Sequence, residues 1–403
     1  MKIGLIRERK NPPDRRVVLS PGACQKVLQR FDAVEIVAEE SPIRVFGDAE
    51  YQKAGIPVVS DVSDCDVLLG VKEVPVEALI PGKKYFFFSH TIKKQPYNRD
   101  LLRAVLEKHI ELYDHELLTN KKGVRLVAFG RYAGIVGAYN GIRAYGMKYG
   151  TFDLPKAESL ADREALIAEL RKLQLPAIKI LLTGRGRVGS GAREMLDGMG
   201  LRQVTVADYL EREFAEPVYC QIDASDYNRR KDGVRGNKAD FFANPEAYKS
   251  NFFRFARVTD LYIAGHFYGQ GAPYLYTRED VKDPEFRIRV VADISCDIDG
   301  PVATTIRAST IANPVYGYDP MTESETDFRN PRAVAVMAVD NLPAELPRDA
   351  SEGFGAAFVK QVIPAFFDGD AEGILERARM TRGGRLTDRY AYLQDYVDGV
   401  NTP

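Results

Sequence analysis

The 403-residue sequence has no tryptophan, only four histidines and only four cysteines. Cys24, Cys65, Cys220 and Cys296 are widely scattered and form no C-x-x-C pair, which argues against a disulfide framework and a metal site. Charge of either sign is not in excess: 56 Lys and Arg face 57 Asp and Glu, giving a net charge of −1 with no basic or acidic block. Nothing therefore points to nucleic acid or an anionic membrane as a partner. No apolar run approaches the length of a membrane span. The start, MKIGLIRERK, interrupts its short apolar run with charges, unlike a signal peptide. These absences, with 45% hydrophobic residues, predict a cytoplasmic globular enzyme. At this length, two domains are expected.

What is present centres on AIKILLTGRGRVGSG. Ile178, Ile180, Leu181 and Leu182 form the apolar run of a strand buried on both faces. Gly184, Gly186 and Gly189 follow in G-x-G-x-x-G spacing, with Arg187 and Val188 inside the motif, and AREMLDGM continues with helical spacing. Strand, glycine loop and helix in that order form a dinucleotide fingerprint. Gly184 would make the tight turn, Gly186 would admit a pyrophosphate, and Gly189 would let the helix pack on the strand. Helix N–H groups then face the phosphates. The next apolar run, QVTVADYL, is read as a strand ending in Asp208, whose carboxylate would hold the ribose hydroxyls and favour NAD over NADP. Arg185, Arg187 and Arg212 leave NADP possible.

The first part of the chain alternates strand-like KIGLI, AVEIVAEE, PVV, DVLLGVK and KKYFFFSH with helical segments, of which the first is N-capped by Ser20 ahead of Pro21. This alternation predicts α/β architecture with a parallel sheet. YAGIVGAYNGIRAYGMKYG suits a connecting helix, NPEAYKSNFFRFA a further helix, and VTDLYIAG, IRVVADIS and AVAVMAVD strands of a second doubly wound sheet. The expected domains are 1–131 with 350–403, and 132–349.

Ligands of such sheets lie beyond the strands' carboxyl ends. DVLLGV delivers Lys72 there, and YFFFS delivers His90 with Lys93 just beyond, suggesting an acid–base pair. Arg16, Lys93 and Arg125, with Glu116 nearby, would suit a substrate carrying several carboxylates. Position alone leaves Lys72 equally readable as a solvated lysine, and for a lone histidine such as His90 a structural role is the commoner one. His109, His115 and His266 carry no motif. Asp293, Asp297 and Asp299 read as a strand-end turn rather than a cation loop.

GVKEVP, FFFSHTIK, LYDHELL, GVRLVAFGRYAG, GRGRVGSG, VVADISCDIDG and VDNLPAELPRDASEGF resemble, in the same order, the lysine-forming saccharopine dehydrogenase family. HTIKKQ and VRLVAFG look especially like the related lysine–2-oxoglutarate reductase domain, and both sit in the alanine dehydrogenase and transhydrogenase superfamily. The resemblance runs from the first strand to about Phe367. It implies two Rossmann-like domains with an active-site cleft between them, the first completed by C-terminal helices. It also implies interconversion of saccharopine with lysine and 2-oxoglutarate through an imine, using NAD(H) or NADP(H). By motif position Lys72 and His90 match the acid–base pair, and Arg16, Lys93, Glu116 and Arg125 the substrate residues. Gly184, Gly186, Gly189 and Asp208 match the dinucleotide site, and Asp340 a further acid at the site. PVATTIRASTIANPVYGYDP departs from the reductase wording, and 368–403 has no counterpart in it. Two alternatives stay open: an amino-acid dehydrogenase of alanine dehydrogenase type, and a catalytically silent nucleotide-binding protein. The sequence leaves the oligomeric state open.

Overall fold

The computed structural model describes residues 1–400. The chain forms two compact units, Met1–Phe129 with the segment that begins at Pro347, and Gly130–Leu346.

The first unit is built on six parallel strands: β1 (Lys2–Leu5), β2 (Glu35–Glu39), β3 (Val58–Val59), β4 (Val67–Leu69), β5 (Lys84–Phe87) and β6 (Glu111–Asp114), in the order β3-β2-β1-β4-β5-β6. In that order the winding reverses between β1 and β4, so the loops leaving these two strands diverge and open a crevice. The helix Pro21–Arg30 begins as its sequence predicts, with the Ser20 hydroxyl accepting the Ala23 N–H at 3.3 Å and Pro21 in the first turn. The helix Pro347–Gln361 returns to this unit, burying Phe354 and Phe358 and accepting the Val17 N–H on the Ser351 hydroxyl at 2.9 Å. The tail then covers the sheet's edge strand. Met380 N–H donates to the Leu112 carbonyl at 2.8 Å, and Leu112 N–H donates to the Thr381 hydroxyl at 2.9 Å. An edge whose backbone groups are paired in this way is not a template for aggregation.

The second unit carries β7 (Lys179–Thr183), β8 (Arg202–Gln203), β9 (Val218–Ile222), β10 (Asn228–Arg230), β11 (Tyr248–Ser250), β12 (Leu261–Ala264), β13 (Val290–Asp293), β14 (Val315–Asp319), β15 (Ser324–Thr326) and β16 (Val334–Met337). Eight of them form a mixed sheet, β15-β14-β16-β13-β12-β7-β9-β8, whose antiparallel members are at one end. All residues of β7, β9, β12, β13 and β16 are buried, as expected of strands covered on both faces. The helix Gly130–Tyr149 lies against the helix Arg187–Gly198 so closely that a Cβ on Gly191 would fall 1.9 Å from the Arg131 carbonyl oxygen.

Two expectations are corrected. QVTVADYL is not one strand: β8 stops at Gln203, and Val206–Glu211 is helical. The Thr205 hydroxyl accepts the Asp208 N–H at 3.1 Å, so a local cap overrides the β-branched alternation. The strand beside β7 is instead β9, from VYCQI. NPEAYKSNFFRFA is also broken, into a single turn, β11 and the short helix Phe253–Ala256.

Candidate functional site

In the first unit the chemistry gathers where the carboxyl ends of β1, β4, β5 and β6 point the same way. Lys72 follows β4 and is partly buried. Burial, and then the charge of Arg16, push its ammonium below the usual lysine range. Arg16 is 3% exposed, braced by Asp14 through contacts of 3.0 and 2.6 Å, with its guanidinium 4.3 Å above the Phe129 ring. Its fork is thus already engaged by a carboxylate, and its charge reaches Lys72 from a fixed position. Burial works against the charge of Asp14, but Arg16 holds its carboxyl down at about 2.

His90 leaves β5 in a left-handed backbone conformation, φ 54°, one that few non-glycine residues adopt without surroundings that impose it. Its Nδ1 lies 2.6 Å from Glu73, the residue after Lys72. Glu73 also accepts from Lys10 at 2.7 Å. Against the effect of burial, the bonds from His90 and Lys10 hold Glu73 down at about 2. Glu116, 9% exposed in its side chain, sits between Arg125 at 2.7 Å and Lys93 at 3.6 Å. The fold therefore joins Lys93, Glu116 and Arg125 in one cluster and links His90 through Glu73 to the Lys72 loop.

Two residues without a motif hold that loop. Glu8, buried just after β1, accepts the Val71 N–H at 2.6 Å and the Lys72 N–H at 2.9 Å, one on each carboxyl oxygen. Buried His115 donates from Nε2 to the Gly70 carbonyl at 2.9 Å. The Gly70 N–H pairs with the Phe86 carbonyl at 2.9 Å, and the Val71 carbonyl accepts the Phe88 N–H at 3.0 Å. Gly70 to Lys72 is thus held by Glu8, by His115 and by the backbone of the β5 segment. Burial pushes the Glu8 carboxyl up to about 8 and the His115 imidazole down to about 4. A glutamate two residues past a strand gives some hint of such a role; an isolated histidine gives none.

In the second unit the glycine loop has the predicted strand–loop–helix form. Gly184 has φ +93°, and a Cβ there would lie 2.3 Å from the Gly265 carbonyl oxygen; on Gly189 it would lie 2.0 Å from the Gly184 carbonyl oxygen. A Cβ on Gly186 would point into open space, the room a pyrophosphate requires. Gly184 to Val188 line a cavity of about 450 Å³ with Asp223, Ala224, Tyr227, Lys238, Phe242, Gly265, His266 and Phe267. Asp208 does not line it: its carboxylate is engaged by Thr205 at 2.9 Å and Arg212 at 3.3 Å on the outer helix. The acid at the end of the strand next to β7 is Asp223, which accepts from the Ser225 N–H at 3.1 Å and hydroxyl at 2.7 Å, with Lys238 at 3.8 Å. Partial burial opposes its charge, yet these donors keep Asp223 below the usual carboxylate range. Pro217 before an apolar run that ends in Asp223 was the available sequence signal. Asp340 lies exposed beyond β16, outside this cavity. A larger hollow of about 880 Å³, lined by Arg254, Arg257, Arg287 and Arg289, lies by the amino ends of β12 and β13, away from the glycine loop. Among the described residues no group of His, Cys, Asp and Glu could hold a metal ion, and no helix is long and apolar enough to cross a membrane.

Two parallel-type α/β units, one with a glycine-rich nucleotide loop and the other with titratable groups at its strand ends, define a two-domain oxidoreductase. Residues 4–136 match the description "Alanine dehydrogenase/PNT, N-terminal domain", and residues 167–389 match "Alanine dehydrogenase/PNT, C-terminal domain", a nucleotide (NAD)-binding domain. The chain belongs to the alanine dehydrogenase/PNT family. Its fold is similar to that of a solved L-alanine dehydrogenase, with TM-score 0.66 at 18% identity over all of both chains. In sequence it is 28% identical to an alpha-aminoadipic semialdehyde synthase of Arabidopsis thaliana, over 97% of this chain and 41% of that protein. It is also 28% identical to a saccharopine dehydrogenase [NAD(+), L-lysine-forming] of Candida glabrata, over 87% of this chain and 88% of that one. The chain spans about half the length of the semialdehyde synthases it matches.

Proposed function

We propose that this protein is an NAD-dependent oxidoreductase of saccharopine dehydrogenase type, interconverting saccharopine or a related secondary amine with lysine and 2-oxoglutarate through an imine. The observation that carries the reading is Lys72: a partly buried ammonium at the winding reversal of the first sheet, lowered by desolvation and Arg16, with His90 at the next strand end. The relatives named as saccharopine dehydrogenases support the substrate class.

Proton transfer at a carbinolamine and an imine needs two groups that exchange protons near working pH. Lys72, its charged form disfavoured, accepts the proton released as the amine attacks the ketone. His90, oriented by Glu73 through Nδ1, presents its other ring nitrogen to the oxygen that leaves as water. Glu116 positions Lys93 and Arg125, whose charges suit substrate carboxylates. The glycine loop and Asp223 would hold the dinucleotide by its pyrophosphate and adenosine ribose, and Asp223 favours NAD over a 2′-phosphorylated form. A nicotinamide held there would supply the hydride chemistry of the reaction.

Lys72→Met should lower turnover by about 10²- to 10⁴-fold while NADH still binds, with 2-oxoglutarate and lysine as substrates and NADH absorbance as the readout. Near-normal turnover in the variant removes Lys72 from the mechanism. Wild-type turnover with pyruvate and ammonia, and none with lysine and 2-oxoglutarate, would replace the amino partner.

A further inference from the structure

Two large aromatic side chains lie uncovered at the rim of the glycine-loop cavity. Phe267 is 75% exposed and Phe242 is 45% exposed, and their ring centroids are 6.4 Å apart at 51°. Both side chains line the cavity that contains Gly184–Val188 and Asp223. Phe267 lies two residues past Gly265, whose carbonyl abuts Gly184, so its loop is fixed to the glycine turn. Phe242 comes from a different segment, the helix Lys238–Ala243 between β10 and β11. In that helix Phe241 turns inward, 5% exposed, and packs edge-on to Tyr248. Its neighbour Phe242, about 100° round the helix, is left facing out. Leaving two phenyl rings in water forgoes a burial that folded chains usually secure.

We propose that Phe267 and Phe242 form a purine-stacking subsite, with the base lying on the open face of Phe267 and Phe242 closing its edge. This rests on the dinucleotide reading and adds to it the group that recognises the base. The order of groups around the cavity gives the direction. The phosphates belong at Gly186 and the ribose at Asp223, and Lys238, 3.8 Å from Asp223, begins the helix that carries Phe242. A base attached to that ribose therefore meets the two rings. Flat aromatic faces hold bases by stacking, which is tolerant of orientation and needs no hydrogen-bond code.

Phe267→Ala and Phe242→Ala should each weaken NADH binding, measured by calorimetry, by roughly 5- to 100-fold, the range that base–aromatic stacking supplies. Binding of nicotinamide mononucleotide, which has no purine, should not change. Because the chain has no tryptophan, Phe267→Trp places a single reporter at the subsite and retains a stacking face. AMP and ADP-ribose should quench its fluorescence, and nicotinamide mononucleotide should not. The subsite is overturned if both alanine variants bind NADH as the wild type does, or if nicotinamide mononucleotide loses affinity in step with NADH. A wild-type protein that binds no dinucleotide would overturn the underlying reading as well, and the two failures are thereby distinguished.

Discussion

Glu8 offers the sharpest test of how the fold prepares Lys72. Its carboxyl group accepts the Val71 and Lys72 N–H groups at 2.6 and 2.9 Å, one on each oxygen, and the neighbouring backbone bonds are already made elsewhere. Glutamine at this position can accept one N–H with its carbonyl oxygen but turns an NH₂ toward the other. One buried N–H is then unpaired, at a cost of about 1–3 kcal/mol; alanine leaves two unpaired, or about 2–6 kcal/mol if no water enters. Local opening around residues 70–72 should therefore become roughly 5- to 150-fold more frequent in Glu8→Gln. Hydrogen exchange of peptides covering these residues reads that directly. If Lys72 acts as proposed, turnover should fall in parallel, because a displacement of about 1 Å at a catalytic group can cost on the order of 100-fold.

The same substitution has a pH signature. Burial raises the folded-state carboxyl to about 8, above its ordinary value of 4.5. Between those values the native state holds a proton that the unfolded chain releases. The contribution is fully present below the lower value and is lost as pH rises through about 8. Glu8→Gln should remove that slope from urea midpoints measured between pH 5 and 9. If exchange at 70–72, turnover and the pH slope all match wild type in both variants, Glu8 does not hold the loop.

Two further outcomes follow from the geometry. Gly189→Ala puts a Cβ 2.0 Å from the Gly184 carbonyl oxygen, so the variant should lose NADH binding and unfold at a lower temperature, read by calorimetry; a variant that binds normally would show that the loop yields. Glu73 is held down at about 2 by His90 and Lys10, so its contribution to stability is present above 4.5 and lost as pH falls toward 2. Glu73→Gln should lower the urea midpoint at pH 7 and flatten the acid limb below pH 4.5, with no change in either counting against the His90–Glu73 pair.

The parts legible in the sequence are those that the chain determines over a short span. A strand, three glycines and a helix follow one another within some twenty residues, so apolar run, motif spacing and helical periodicity all report on the same local object. The strand-end positions of Lys72 and His90 were legible for a similar reason, since each follows an apolar run and parallel strands send their carboxyl ends to one side. Ser20 and Pro21 announce a helix start because a cap acts within three residues. The ordered run of motifs carried the family resemblance.

The acid beside the dinucleotide strand was decided only by tertiary structure. Which strand lies next to β7 is a pairing between distant segments, and here the chain sends the first strand after the glycine-loop helix to the sheet's edge and brings β9 back beside β7. Asp208 consequently sits on an outer helix, and Asp223 takes the place beside the loop. Glu8 and His115 converge on Gly70–Lys72 from two other strands, and Phe242 meets Phe267 from across an insertion. None of these has a periodicity or spacing to read, because each depends on which surfaces pack after the sheets have formed.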